Sequence, residues 1–272
     1  MTGTSPALRL GVVTDLHFGP AAYFGGKLRK LSHCAEELLD GAVTELRSLG
    51  VDAIVNLGDD IEDQSFDADL TRYRQCQDIL KRGGAPIINV AGNHDTVFLG
   101  RDELVASWGE RGPLYRSMDL AGVHIVILHS LERKDLDVSI GRDQLTWLEE
   151  DLSRTALPVL VLCHHPLSEQ DFDDSRWFAS APHLALVKNR KEVRAILRAS
   201  GKVRLVLNGH VHRNHFDLVD GLPFVTVQSL VENLDEDAPG TAAGAYAVVT
   251  LTEDRALVRV KGNDPARYQI HF

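Results

Sequence analysis

The chain has 272 residues, of which 44% are hydrophobic and 25% charged, and its formal net charge is −10. This composition is typical of a globular protein long enough to bury a sizeable core, and we expect a single domain over residues 1–272. The acidic balance argues against a nucleic-acid-binding protein, because displacing counterions from a phosphate backbone requires clustered lysine and arginine.

Targeting and membrane segments are not apparent in the sequence. The first ten residues lack a basic stretch followed by a long apolar one, so we expect no signal peptide. No apolar run approaches the length of a membrane span. Cys34, Cys76 and Cys163 show no CxxC spacing and fall in apolar or helical patterns, so we predict free thiols and a cytoplasmic location.

The first third of the chain alternates short apolar runs with amphipathic segments. Buried strands are predicted at residues 8–14, 53–57 and 86–91. Helices are predicted at 28–49 and 68–80, where apolar residues recur at helical spacing. This βαβαβ order is typical of an α/β sheet.

The rest of the chain continues with mixed elements. We predict, in order, a β-hairpin at 114–128, a helix at 142–153, a strand at 159–163, a helix at 189–199 and a strand at 203–207. Beyond position 215 we expect only strands. The predicted fold class is therefore α/β, a four-layer sandwich of two mixed β-sheets flanked by helices.

Polar side chains follow five of the predicted buried strands. They belong to Asp15, His17, Asp59, Asn93, His164, His210 and His212, with Asp60, His94, Asp95 and His165 beside them. Each fragment alone is more often a turn or a helix cap. Because ligands of open α/β sheets bind beyond the carboxyl ends of the strands, the same residue types after five separate strands predict one shared site.

The donor types at this predicted site indicate metal ions. Imidazole, carboxylate and amide donors without thiolate suit Mn, Fe, Zn or Co rather than calcium. Seven donors exceed the needs of one tetrahedral ion, so we predict two divalent or mixed-valence ions that share a carboxylate. Such a pair clamps the attacking and leaving oxygens at phosphorus and supplies metal-bound hydroxide near neutral pH. The sequence thus predicts a hydrolase of phosphate esters.

The motifs Asp-x-His, Gly-Asp, Gly-Asn-His-Asp, His-x-Pro and Gly-His-x-His occur in this order over roughly three quarters of the chain. As a set they resemble those of the calcineurin-like metallophosphoesterase superfamily. The resemblance implies one ion held by Asp15, His17 and His212, another held by Asn93, His164 and His210, and Asp59 bridging both. It also implies that His94 contacts the phosphate and protonates the leaving group, with Asp95 orienting its imidazole.

Some neighbours of the motifs keep more than one interpretation. His164 is preferred as the ligand because it lies two residues before Pro166. His165 then either contacts a metal ligand or faces the substrate. Asp60 stands where the family often has an aliphatic residue, and it either bonds to a ligand or faces solvent. Among the other histidines, only His215 lies close enough to a motif to keep as a candidate.

Two segments are candidates for the wall of a substrate pocket. Residues 18–30 combine aromatic and basic side chains that can stack a base and neutralise a phosphate, or they form a surface loop. Residues 169–183 contain Trp177 and Phe178 and form either a lid or a packed loop.

The predicted substrate is a small nucleotide-like molecule with a phosphodiester or diphosphate bond. The chain diffusely resembles the ADP-ribose/CDP-alcohol diphosphatase branch, and the cyclic-nucleotide and glycerophosphodiester phosphodiesterase branches share the metal motifs. We expect a small phosphorylated substrate as the only partner, with no nucleic acid and no membrane. The alternatives are a phosphomonoesterase, a nuclease, or a catalytically weak scaffold that binds a partner and would have lost a ligand.

Overall fold

The structure, a computed structural model, describes residues 8–133 and 136–272. The expectation that there is no signal peptide concerns the first ten residues, and most of these lie outside the described residues. The strands are β1 (Leu8–Val13), β2 (Ala22–Phe24), β3 (Lys27–Lys30), β4 (Ala53–Asn56), β5 (Ile87–Asn89), β6 (Arg116–Leu120), β7 (Val123–Leu128), β8 (Leu131–Arg133), β9 (Asp137–Ser139), β10 (Val159–Cys163), β11 (Val203–Asn208), β12 (His215–Val219), β13 (Leu222–Thr226), β14 (Tyr246–Leu251), β15 (Arg255–Lys261) and β16 (Ala266–His271). The helices are α1 (Ala35–Ser48), α2 (Phe66–Lys81), α3 (Arg101–Trp108), α4 (Arg142–Arg154), α5 (Pro182–Ala185) and α6 (Arg190–Ser200), with short 3-10 turns at Ser32–Cys34 and His94–Thr96.

Two six-stranded mixed sheets form the centre of the fold. Sheet 1 has the order β16-β15-β14-β1-β4-β5, and sheet 2 has the order β12-β13-β11-β10-β7-β6. In sheet 1, β1, β4 and β5 are parallel and β14 to β16 are antiparallel. In sheet 2, the four central strands are parallel and the edge strands β6 and β12 are antiparallel.

The two sheets pack face to face around one apolar core. Leu10 and Val12 of β1 and Leu160 and Leu162 of β10 are fully buried in it. Helices α1 and α2 cover the outer face of sheet 1, and α4 and α6 cover that of sheet 2. The predicted four-layer α/β sandwich is therefore confirmed.

The helix predicted from residue 28 begins only at Ala35. The segment before it forms strand β3, which pairs with β2 across a turn at Gly25 and Gly26, both of which have positive φ. The backbone of this segment is also hydrogen-bonded to a distant part of the chain, since the Leu31 N–H donates to the Val231 carbonyl. The apolar spacing at 28 and 31 therefore belongs to a hairpin packed on the protein and not to a helix.

None of the helices within residues 8–133 and 136–272 is both long enough and apolar enough to cross a membrane. The three cysteines are free thiols, as predicted; Cys76 and Cys163 are buried and Cys34 is half-buried.

Candidate metal centre

The loops that follow β1, β4, β5, β10 and β11 meet at one edge of the sandwich. The Asp15 N–H donates to the Gly58 carbonyl at 2.9 Å, and the Gly209 N–H donates to the His164 carbonyl at 3.0 Å. The His210 N–H completes the link between the two sheets by donating to both carboxylate oxygens of Asp15, at 3.1 and 3.0 Å. These contacts join the loops that carry Asp15, Asp59, His164 and His210.

Site 1 consists of Asp15, His17 and His212, which are buried and whose ligand atoms lie within 4.8 Å of one another. The Nε2 atoms of His17 and His212 are 3.1 Å apart, and Nε2 of His212 lies 3.4 Å from Asp15 Oδ1. Two imidazole nitrogens bound to one ion at about 2.1 Å are themselves about 3.0 to 3.4 Å apart. The donor spacing of site 1 therefore fits one metal ion.

Site 2 consists of Asn93, His164 and His210. The Nε2 atom of His164 lies 3.2 Å from Asn93 Oδ1. The Nδ1 atom of His210 is buried and has no hydrogen-bond partner in the described part of the chain. Because leaving a buried imidazole nitrogen unpaired costs free energy, its position beside these donors fits a bound cation.

Asp59 lies between the two sites. Its Oδ2 is 3.2 Å from His164 Nε2 in site 2 and 3.9 Å from His17 Nε2 in site 1. Its Oδ1 accepts a hydrogen bond from the His94 backbone N–H at 2.9 Å. One carboxylate oxygen is thus anchored while the other faces both sites, which is the geometry that a bridging ligand requires.

The backbone of this region is strained. Seven non-glycine residues among those described have positive φ, and five are predicted ligands: Asp15, His17, Asp59, His210 and His212. The left-handed region costs an L-residue about 1–2 kcal/mol. Such strain is concentrated at functional sites, where the surrounding structure holds it in place.

The electrostatics of the centre also favour cations. Burial alone would lower the pKa of His164, but Asp59 and Asp15 raise it to about 10. Likewise, burial opposes protonation of His212, while Asp15 and Glu232 raise its pKa to about 9. Although burial would raise the pKa of Asp59, the neighbouring imidazoles, His164 foremost, hold it well below its usual value. Buried carboxylates that stay charged attract positive charge, which an imidazolium proton or a metal ion can supply.

Asp95 does not contact the His94 ring, so the predicted orienting role is wrong. Its carboxylate is fully buried and accepts hydrogen bonds from the N–H groups of Gly92, Asp59 and Asp60, at 2.8 to 2.9 Å. Adjacent residues in a helical turn project in different directions, so neighbours in sequence need not be neighbours in space. Asp95 instead fixes the loop that carries Asp59.

The group that contacts the His94 imidazole is Asp63, through a hydrogen bond between Nδ1 and Oδ1. The His94 ring also packs edge-on against His17, with ring centroids 4.9 Å apart. Asp63 follows Asp59 by four residues, and this proximity to a ligand was the only sequence signal that could have indicated it. The structure therefore assigns the orienting position to Asp63.

Asp60 and His165 are fully buried and do not face solvent, and the ligand atoms of His164, His165 and His210 lie within 4.8 Å of one another. Asp60 accepts hydrogen bonds from the side-chain amides of Asn56 at 2.7 Å and Gln77 at 3.1 Å. Nδ1 of His165 is 2.8 Å from the Ser130 hydroxyl, and its ring lies 3.9 Å from that of His210.

His215 is separate from the centre. It begins β12, at an edge of sheet 2, where it pairs with Thr226. The structure places it in none of the groups of side chains that converge on the two sites.

A cavity of about 320 Å³ opens beside the two sites. Both segments predicted as pocket walls contribute to it, with Phe24 from one and Trp177 from the other, and their rings are 5.3 Å apart. Lys30 reaches the same wall and places Nζ 5.2 Å from the centre of the Trp177 ring. The cavity therefore combines a floor of candidate metal ligands with an aromatic and basic wall.

The contact between Gly92 and the bridging carboxylate gives a prediction. A Cβ added at Gly92 would lie 2.1 Å from Asp59 Oδ1 and 2.3 Å from the Asp59 nitrogen. Because neither atom can yield without moving the ligand, Gly92→Ala is expected to weaken Mn²⁺ binding at least about tenfold and to lower stability by about 1–3 kcal/mol. Calorimetric Mn²⁺ titration and thermal unfolding measure the two effects.

Gly41→Ala is the matched control, because a Cβ there meets nothing within 4 Å. This glycine lies inside α1, so alanine should stabilise the protein by about 0.5–1 kcal/mol and leave Mn²⁺ binding unchanged. Equal Mn²⁺ binding by Gly92→Ala and the wild type would show that the Asp59 loop tolerates the displacement.

Comparison with known proteins is consistent with this geometry. The sequence profile of the calcineurin-like phosphoesterase family matches residues 8–214. A probable cyclic nucleotide phosphodiesterase of Synechococcus sp. is 29% identical over 224 residues, which cover 78% of this chain and 76% of that protein. A cAMP/cGMP dual specificity phosphodiesterase of Mycobacterium tuberculosis is 27% identical, over 76% of this chain and 64% of that one.

The fold is similar to that of a solved dimetal phosphatase from Danio rerio. The two structures superpose with a TM-score of 0.76 at 19% identity, over 97% of this chain and 99% of that one. With the family profile matching most of the chain, the resemblance predicted from the motifs is confirmed. The chain belongs to the calcineurin-like phosphoesterase family and is a metal-dependent hydrolase of phosphate esters.

Proposed function

We propose that this chain hydrolyses a phosphodiester bond in a small nucleotide, a cyclic nucleotide being the favoured substrate. The observation that carries the proposal is the cavity beside the two sites, with its Phe24 and Trp177 rings. A phosphate over the two sites would place an attached base against this aromatic wall. Stacking on aromatic side chains stabilises bound bases by about 1–3 kcal/mol each.

The residue roles follow from the geometry. Asp15, His17 and His212 would hold one ion, Asn93, His164 and His210 the other, and Asp59 would bridge them. When bound, the ions would lower the pKa of a bound water and stabilise negative charge at phosphorus. The donor types suit Mn, Fe, Zn and Co alike. His94, held by Asp63 through Nδ1, lines the cavity and would direct Nε2 to the leaving oxygen as the general acid.

The size and charge of the cavity favour a small molecule. About 320 Å³ lies near the lower end of the about 300–1,000 Å³ typical of small-molecule sites. The net charge of −10 opposes binding of a nucleic acid. Lys30, which lines this cavity, is paired with Glu62 at 2.6 Å, so the bound ions would supply the positive charge for a phosphate.

The two phosphodiesterases named above support the phosphodiester bond over the monoester. We also propose that residues 1–272 form one domain, because strands of both sheets contribute to one continuous apolar core.

A substrate panel with Mn²⁺ tests the proposal. Cyclic AMP is expected to be turned over with a kcat/KM well above that of ADP-ribose, CDP-choline, a glycerophosphodiester, an aryl monoester and a phosphopeptide. Trp177→Ala should raise the KM for cyclic AMP by about 5- to 150-fold, which corresponds to the loss of one stacked base, and raise that for the glycerophosphodiester less. Trp177→Phe keeps an aromatic face and should retain most of the affinity. Preference for the aryl monoester or the phosphopeptide would overturn the assignment.

A further inference from the structure

The imidazoles of the two sites differ in the group that contacts the ring nitrogen pointing away from the site. In site 1, the Nδ1 atom of His17 lies 3.0 Å from Glu62 Oε2, and that of His212 lies 2.8 Å from Glu232 Oε2. Both histidines therefore direct Nε2 into the site and Nδ1 to a carboxylate. Neither glutamate belongs to a metal motif.

In site 2 the corresponding partners are neutral. His164 donates from Nδ1 to the Leu57 carbonyl at 2.8 Å, and His210 donates from Nε2 to the Leu184 carbonyl at 3.1 Å. Each ring is oriented by a hydrogen bond to a carbonyl. Among the described residues, no carboxylate is hydrogen-bonded to the nitrogen of either ring that points away from the site. Apart from Asp59, which both sites share, the anionic groups are gathered around site 1.

A carboxylate behind a metal-binding histidine has two effects. It fixes the tautomer that presents the other nitrogen to the ion, and its negative charge makes that nitrogen a better donor. A backbone carbonyl fixes the tautomer as well, but it carries only a partial charge. The two sites should therefore differ in affinity even though each contains two imidazoles.

We propose that Glu62 and Glu232 are positioning residues that make site 1 the tighter of the two metal sites. This inference rests on the two-ion assignment made under the proposed function. Site 2 is then the weaker site, from which the ion exchanges more readily. The inference depends on one difference between the sites. Both imidazoles of site 1 are paired with buried or half-buried carboxylates, whereas both imidazoles of site 2 are bonded to backbone carbonyls.

The surroundings rank the two glutamates. Lys30 Nζ lies 2.6 Å from Glu62 Oε2 and 3.4 Å from His17 Nδ1, so its charge offsets much of what Glu62 contributes. Glu232 has a neutral second partner, the Trp177 indole N–H at 3.1 Å. Its side chain is also less exposed, at 6% against 20% for Glu62. Glu232 should therefore have the larger effect on site 1.

The experiment is a calorimetric titration of the metal-free full chain with Mn²⁺. In parallel, the ions retained per chain are counted by mass spectrometry after dialysis against increasing concentrations of a chelator. We expect two classes of site in the wild type. Glu232→Gln should weaken the tighter class by about 10- to 100-fold and leave the weaker class unchanged, and Glu62→Gln should weaken the same class less. His212→Ala and His164→Ala identify the classes, since they should remove the tighter and the weaker one respectively.

Glu236→Gln is the matched control, because Glu236 is 75% exposed in the same loop and should not alter either class. Thermal unfolding of each metal-free variant separates loss of binding from loss of folding. Equal affinities in the wild type, or a Glu232→Gln effect on the class removed by His164→Ala, would overturn the inference. Two classes in a protein inactive on every phosphodiester would instead overturn the proposed function and leave this inference standing.

Discussion

Asp59→Asn is expected to reduce hydrolysis of phosphate esters by at least about 10³-fold, a loss of about 4 kcal/mol of transition-state stabilisation. The His94 N–H holds Oδ1 at 2.9 Å, so the asparagine oxygen would keep that position. Its NH₂ group would then replace Oδ2, the atom that lies 3.2 Å from His164 Nε2. An amide nitrogen has no lone pair to offer a metal ion, and the shared negative charge is lost from both sites.

The measurement is kcat/KM with excess Mn²⁺ together with the number of ions retained per chain. Wild-type protein stripped with a chelator gives the reference rate, and Mn²⁺ should restore its activity but not that of the variant. Asp78→Asn serves as the control, because Asp78 is 68% exposed on the surface and pairs only with Lys81 among the described residues. A variant that keeps two ions and the wild-type rate would remove Asp59 from the bridging position.

The parts of the fold that sequence predicted well are those with strong local patterns. β10 was predicted with its observed bounds because all five residues from Val159 to Cys163 are apolar and buried. The sequence does not predict the short hairpins β2–β3 and β8–β9, since three or four residues carry too little periodicity to show a strand. Helix α3 is not predicted either, because only Leu104 and Val105 are buried and they form no helical spacing. The start of α1 was placed too early because Leu28 and Leu31 fit a helical spacing that long-range pairing overrides.

The same distinction holds for the candidate site. The seven predicted ligands follow five strands, so the positions of the strand ends are enough to predict that these residues meet. Glu232 could not be found this way, because it lies 20 residues beyond His212 and reaches it only where its segment pairs with Lys30. Adjacency in sequence does not give contact for Asp95, because Asp63 and not Asp95 bonds to the His94 ring.

His94→Ala is expected to lower kcat for a nucleotide phosphodiester by about 10²- to 10⁴-fold, the usual contribution of a general acid or base, with two ions still bound. The side chain is 26% exposed and lines the cavity. Because Asp63 accepts from Nδ1, Nε2 is the nitrogen available to a leaving oxygen. Asp63→Asn keeps the imidazole and loses only its orienting charge, so a smaller decrease of about 10- to 100-fold is expected.

The dependence on the leaving group separates proton donation from mere positioning. A sugar alkoxide needs a proton as it leaves, whereas a nitrophenolate does not, so the His94→Ala decrease should be much smaller for a nitrophenyl phosphodiester. Ion counting on the same samples tests the alternative, because ligand atoms of His17, Glu62 and His94 also lie within 4.8 Å of one another. If His94→Ala loses one ion per chain and slows both substrates equally, His94 is a metal ligand and the proton must come from another group.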